Sequence, residues 1–423
     1  MKKFFSVLLS LCLLCAAFGG CQKGNLPVTT ILTEDGSTKE LPLVTVLADE
    51  PFWDSGPLRA LLNTVPGSDR DFHVEFELLQ EEPMRSQRIE NLRVEIMAGK
   101  GPDLFLMDCF YPTLCSLSIY EDNVKSLFPF PEQARDNHLF LPLDDYIAGA
   151  QCMDRLMPQI MEVGRGEEGQ TILPLQYDFT VLFMEEDQYT EPPAHSREGY
   201  LQSGNRNLER AALAADNWAL LGYFGRDADY SAEELTFREE ELGEIALDAA
   251  ESQKKWMAGY YDRNIYQDFF GLHAQNGQSA DGFCVPVYNR DQGVTAYVTS
   301  YGAINRNANY PDYAFRILDK LLSREAQKDS RLYVGEFNGG SFGLVPNLDQ
   351  GEEDFQGLSM SPEGRGRFLE LREQINAVKF LTQLDREAAR KVCLRATASA
   401  TRQSIEKAVH EACRTMEMML AES

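Results

Sequence analysis

The stretch EIMAGKGPDLFLMD, residues 95–108, decides how the chain is read, because its glycines either cradle a phosphate or shape a framework turn. A P-loop needs a glycine, four residues, then Gly-Lys followed by Ser or Thr, set between a strand and a helix. Here Gly101 follows Lys100, so the order is reversed. Upstream, Ile89, Leu92, Ile96 and Met97 recur at the spacing of one helical face, and Gly99 suits a left-handed C-cap. Pro102 blocks further helix, and the apolar run Leu104, Phe105, Leu106, Met107 is short and flanked by turn residues, as in a strand buried on both faces. The turn therefore joins helix to strand, with Lys100 as a solvated cap residue.

Toward the N-terminus, residues 43–47 are apolar and β-rich, residues 57–62 begin a short helix, and residues 72–79 alternate Val74, Phe76 and Leu78. With the helix through Ile89 and the strand at Leu104, this is strand-helix-strand-helix-strand, the pattern of a parallel sheet with helices on its faces. Ligands on such sheets sit outside the carboxyl ends of the strands. That rule picks out two loops facing one crevice: residues 49–54, with Phe52, Trp53 and Asp54, and residues 108–111, with Asp108 and Phe110.

Toward the C-terminus, TILPLQYDFTVLF at residues 171–183 reads as extended chain entering a new sheet after a helical region at 144–161. Residues 191–251 are polar with helical patches and one apolar island at 218–224. Residues 294–304 read as a strand, and Ala314, Ile317, Leu318, Leu321 and Leu322 as a helix after Pro311, so the pattern of the first lobe returns. A chain that leaves a lobe and re-enters it builds a hinge with a closable cleft. Beyond residue 362 helix formers dominate and glycine is absent after Gly366, which predicts a helical end.

Lys2 and Lys3 precede an apolar run at 4–18 and then Gly19-Gly20-Cys21, the layout of an export signal. That run is shorter than the roughly 20 residues that cross a bilayer as a helix, and no later segment approaches that length. A polar stretch after Cys21 reads as a tether. The formal charge of -26 excludes nucleic acid, whose phosphates need clustered Lys and Arg.

Nine cysteines include Cys12, Cys15 and Cys21 at the front; the others, Cys109, Cys115, Cys152, Cys284, Cys393 and Cys413, form no CxxC pair. With five scattered histidines there is no zinc spacing, and no metal or cofactor is assigned. Gly339, Ser341 and Gly343 match a nucleophile elbow by letters, but Leu344-Val345-Pro346 forbids the helix that must follow. His73 and His138 read as structural, and no catalytic residue is assigned.

RIENLRVEIMAGKGPDLFLMD, ILPLQYDFTVLFME and YGAINRNANYPDYAFRILDKLLSREAQ, with the export signal and its lipobox-like cysteine, resemble the bacterial extracellular solute-binding proteins of family 1, the sugar-binding type. Phe18 stands where such boxes usually carry leucine. The resemblance spans most of the mature chain, strongest at 88–108 and 296–327. It implies two α/β lobes joined by hinge strands, the type II periplasmic-binding-protein-like fold, with ligand held between the lobes and no catalysis. The implied division is a signal peptide at 1–20, a lipidated N-terminus and tether at 21–40, one lobe from 41–150 and 294–330, and the other from 151–293 and 331–423.

The resemblance further implies a monomeric, lipid-anchored receptor on the outer side of the cell membrane, delivering a small solute to the permease subunits of an ABC importer. The implied ligand contacts are Trp53, Asp54, Asp108, Phe110, Tyr177, Asp178, Tyr301 and Gly302, with Cys21 the lipidation site. Aromatic faces stack on sugar C–H surfaces while carboxylates accept hydroxyl protons, so a sugar or oligosaccharide is the expected ligand. An acidic crevice also suits a cationic peptide or polyamine. A secreted glycoside-active enzyme and a sensor for a membrane kinase stand as the alternative roles.

Overall fold

The computed structural model describes residues 26–32, 37–49, 55–79, 84–109, 113, 125–150, 155–213, 220–261, 266–269, 283–328, 344–346 and 362–422. The first lobe opens with β1 (Val28–Leu32), β2 (Thr38–Asp49), α1 (Ser55–Leu62), β3 (His73–Leu79), α2 (Met84–Met97) and β4 (Leu104–Asp108). Strands β3 and β4 pair parallel to β2 on either side, as the strand-helix pattern predicts. In α2, Ile89, Leu92 and Ile96 are buried, whereas Met97 is 87% exposed and leaves the face it was assigned to. The helix ends one residue before Ala98, and Gly99 (φ +71°) turns the chain back so that Lys100 N–H reaches the Glu95 carbonyl at 2.9 Å.

The segment read as a tether carries structure of its own. Residues of β1 pair antiparallel with the start of β2, from Val28 opposite Pro42 to Leu32 opposite Thr38. Its sequence, VTTIL, is β-forming, and its alternate residues are exposed, as suits an edge strand.

After β4 come α3 (Pro131–Asp136), α4 (Asp144–Ile147), α5 (Pro158–Glu162), the small hairpin β5 (Arg165–Gly166) and β6 (Gly169–Gln170), and the 13-residue β7 (Ile172–Met184). The second lobe adds α6 (Arg197–Gln202), α7 (Arg206–Leu213), β8 (Ala228–Asp229), β9 (Glu234–Leu235), α8 (Glu239–Met257), β10 (Tyr266–Phe269) and β11 (Phe283–Pro286). Strand β12 (Val294–Ile304) and α9 (Pro311–Leu321) return to the first lobe. The chain ends with α10 (Pro362–Glu373), β13 (Ile375–Phe380), α11 (Gln383–Ala388) and α12 (Arg402–Glu422). The expected all-helical end is thus interrupted by β13, whose pairing parallel to β12 overrides local helix preference.

Two strands belong to both lobes. In β12, residues 300–304 pair with β4 and residues 294–298 pair with β13. In β7, residues 172–176 pair with β12, while residues 180–184 pair with β10 and β11. Every residue of both strands is buried. A third passage lies at Leu344–Pro346: Tyr177 and Leu344 exchange backbone hydrogen bonds of 2.8 and 2.6 Å, and Met157 N–H donates to the Pro346 carbonyl at 2.8 Å. Leu344 packs into the core of the second lobe with Phe179, Phe368 and Leu371, and its neighbour Val345 into that of the first with Leu104, Leu173 and Ile304.

The Gly-Pro-Asp turn is a lock between two distant segments. Asp103, fully buried, accepts Thr45 N–H at 2.8 Å on one carboxylate oxygen and Asn309 N–H at 2.6 Å on the other. Asn305 Nδ2 donates in return to the carbonyls of Lys100 and Pro102 at 3.0 and 2.9 Å. The glycines therefore shape a framework turn, in which Asp103 and Asn305 fasten the start of β4 to β2 and to the segment after β12. Asp103→Ala would strand two backbone donors, and we expect it to cost about 2–4 kcal/mol, read from the midpoint of urea unfolding.

Candidate ligand-binding site

Strands β2 and β4 finish side by side at Asp49 and Asp108, which are 3% and 2% exposed. Asp108 N–H donates to Asp49 Oδ2 at 3.0 Å. Arg85, in the first turn of α2, places Nη1 2.7 Å from Asp49 Oδ1, an ion pair off the line of a straight hydrogen bond. Its Nε donates to the Lys125 carbonyl at 2.7 Å. Burial pushes the Asp49 carboxyl above its ordinary range, opposed by the Arg85 charge and the Asp108 amide.

The floor beside this pair is Ser300, which stands opposite Asp108 on one side and Gln176 on the other. Its Oγ donates to Gln176 Oε1 at 3.3 Å. Cys109 N–H closes the row on the Thr299 carbonyl at 2.8 Å. The Cys109 thiol is held well above its ordinary pKa, first by burial and then by the carboxylates of Asp108, Asp49 and Asp385. Asp385 belongs to α11 of the second lobe.

Around Asp385 lies a second charged group. Lys379 of β13 donates to Asp227 and, at 2.7 Å, to Asp385 Oδ1, all three being buried. Asp385 Oδ2 accepts Thr382 N–H at 3.0 Å. Two carboxylates on one ammonium leave a surplus negative charge out of water, and burial raises the Asp385 pKa despite Lys379. On the first-lobe side, Glu132 of α3 is 13% exposed. Burial pushes it up to about 7; Arg135 and Arg226 oppose the shift and Asp227 adds to it.

The residues singled out from the sequence fall in different settings. Asp108 stands at the strand ends described above. Asp178 lies in the passage of β7 between the lobes, 1% exposed, its Oδ1 accepting Phe179 N–H at 2.8 Å. Tyr177 points the other way, toward Phe179; burial pushes its phenol up to about 12, and its hydroxyl has no hydrogen-bond partner among the described residues. Tyr301 meets Phe380 edge-on at 5.5 Å between ring centres. Its hydroxyl is raised by burial and then by Cys109 and Asp49. Gly302 faces α9, where an added Cβ would overlap the Leu318 side chain.

Cys21, Trp53, Asp54, Phe110 and the Ser341 motif lie outside the described residues. His73 and His138 bind Asp69 and Glu168 at 2.7 and 2.9 Å. Cys109, Cys284 and Cys413 are free thiols. No cluster suited to a metal ion occurs among the described residues, and no described helix is long and apolar enough to cross a membrane.

Sequence reasoning placed Asp49 in a loop facing the crevice but gave it no role, and it passed over Arg85, Gln176, Ser300 and the Lys379 group. Arg85 left a signal: it shares the helical face of Ile89, Leu92 and Ile96, and a charge there needs a buried counterion. Lys379 left the same signal inside the strand INAVKF.

No protein-family model matches the chain, and no curated protein matches it in sequence. Solved structures do. The chain is similar to the family 1 extracellular solute-binding protein of Alicyclobacillus acidocaldarius, with TM-score 0.58 and 13% identity over 90% of this chain and 98% of that one. It is similar to the sugar-binding protein MalE of Xanthomonas citri, with TM-score 0.56 and 12% identity over 90% and 98%. A third is the galacto-N-biose-/lacto-N-biose I-binding protein of a Bifidobacterium longum ABC transporter, in complex with lacto-N-biose, at TM-score 0.52 and 12% identity over 90% and 98%. At these identities the likeness is one of fold: the chain has the α/β fold of the family 1 extracellular solute-binding proteins.

The Glu132 carboxyl makes stability depend on pH. With a pKa of about 7 in the folded chain against 4.5 unperturbed, the folded state keeps a proton that the unfolded state has released. Stability therefore falls as pH rises between those values and levels off above. The Glu132→Gln variant lacks this loss, so its margin over the parent chain should grow from near zero at the acid end to about 2–3 kcal/mol at pH 8, as urea unfolding at each pH will measure.

Proposed function

We propose that this protein is an extracytoplasmic solute-binding receptor of an ABC importer, which captures a sugar or oligosaccharide by closing its lobes and hands it to the permease. The observation that carries this reading is the pair of shared strands, β7 and β12, each pairing with strands of one lobe along part of its length and of the other lobe along the rest. Hinged lobes with a polar seam suit reversible capture. The neighbours' ligands, among them lacto-N-biose and cycloalternan, support the sugar class.

In this reading residues 1–20 are an export signal and Cys21 carries the lipid that anchors a monomer to the cell membrane. Trp53, Asp54, Asp108, Phe110, Tyr177, Asp178, Tyr301 and Gly302 line or back the ligand site. The solute is bound without turnover.

The test is a thermal-shift panel of mono- and oligosaccharides, amino acids, peptides and polyamines on the chain from Gln22 onward. At a hundredfold excess over Kd, a ligand adds about 2.7 kcal/mol, which moves the melting temperature by several degrees. A selective shift with one sugar, unchanged sugar being recovered afterwards, is the expected result. A shift with polyamines or peptides alone overturns the sugar class, and catalytic consumption of a glycoside overturns the receptor.

A further inference from the structure

Arg85 is 1% exposed, yet a buried guanidinium is costly unless it is paired and hydrogen-bonded. A pair of apolar side chains in the space of Arg85 and Asp49 would hold the lobe together as well or better. What apolar groups cannot do is fix directions. The planar guanidinium joins three chain segments through one hydrogen bond and one close ion pair. It holds the helix α2 that bears it, the Lys125 carbonyl through Nε, and the end of β2 through Asp49. Asp49 spends its other oxygen on the Asp108 amide. The chain of contacts thus runs from Arg85 through Asp49 to the last residue of β4, where the proposed ligand site begins.

We propose that Arg85 and Asp49 are positioning residues of the ligand site, holding the Asp108 end of β4 in its binding geometry without touching the ligand. The inference rests on the receptor reading for the site's location.

Two measurements on the chain from Gln22 onward test it, with Arg85→Met, Arg85→Lys and Asp49→Asn. The control is Leu208→Ala, a truncation of a fully buried residue in the second lobe. First, without ligand, hydrogen exchange is followed in the peptide covering residues 104–109. Arg85→Met should speed exchange of the Asp108 amide at least tenfold, Arg85→Lys less, and Leu208→Ala not at all. Second, maltotriose and lacto-N-biose are titrated by calorimetry as probes. For whichever binds the parent chain, Arg85→Met should raise Kd at least tenfold, with Arg85→Lys recovering part of the loss and Leu208→Ala leaving Kd unchanged.

Unaltered exchange at Asp108, or faster exchange with unaltered Kd, overturns the proposal. If the parent chain binds neither sugar, the titration is made with the ligand that shifts the melting temperature in the panel above, and is read by the same criterion. Should Arg85→Met not fold, Asp49→Asn keeps the shape and the acceptor for the Asp108 amide while removing the charge that Arg85 answers. It is read by the same two criteria.

Discussion

Strands β7 and β12 are the constraint on which the rest depends, because each is buried along its whole length and serves two lobes at once. A strand buried on both faces must find hydrogen-bond partners for every peptide group or forfeit the cost of burying it. In β12 those partners change at residues 299–300, from β13 of the second lobe to β4 and β7 of the first, and the β7 register shifts between Ser300 and Tyr301. At that change of partner two polar side chains, Ser300 and Gln176, meet inside the sheet. Neighbouring strand ends then bring Asp49 and Asp108 to the same place. The polar centre follows from the topology.

Electrostatics adds a second layer. Arg85 answers Asp49 in one lobe, and Lys379 answers Asp227 and Asp385 in the other. Each group keeps acids out of water, and the raised pKa values of Asp49, Asp385 and nearby Glu132 follow first from that burial. In an isolated core such groups would be a liability against apolar packing. In the receptor reading proposed above, the Arg85–Asp49 pair instead holds the Asp108 end of β4 in a fixed position.

Much of the fold was legible because burial on both faces leaves mainly apolar runs, unbroken at residues 104–107 of β4 and interrupted by a few polar residues in β7 and β12. The cores of β4, β7 and β12 each read directly from the sequence, as did the turn at Gly99. The edge strand β1 and the strand β13 were not, since their stability comes from pairing with β2 and β12. Asp108 was legible as a strand end. Arg85 and Lys379 were not recognised, because a single charge in an apolar face reads as surface until its partner, far away in sequence, is placed beside it. Gly302 shows a related limit: its small size answers the packing of Leu318, which no local pattern reveals.

The hinge implied by two shared strands is tested most directly by small-angle X-ray scattering of the chain from Gln22 onward, without and with a saturating sugar. Closure of the lobes on the solute predicts a smaller radius of gyration and a shorter maximum dimension in the bound state, reversed when the sugar is dialysed away. Superimposable scattering curves at full saturation would contradict it, and would mean that the solute binds to one lobe or to a cleft that does not move.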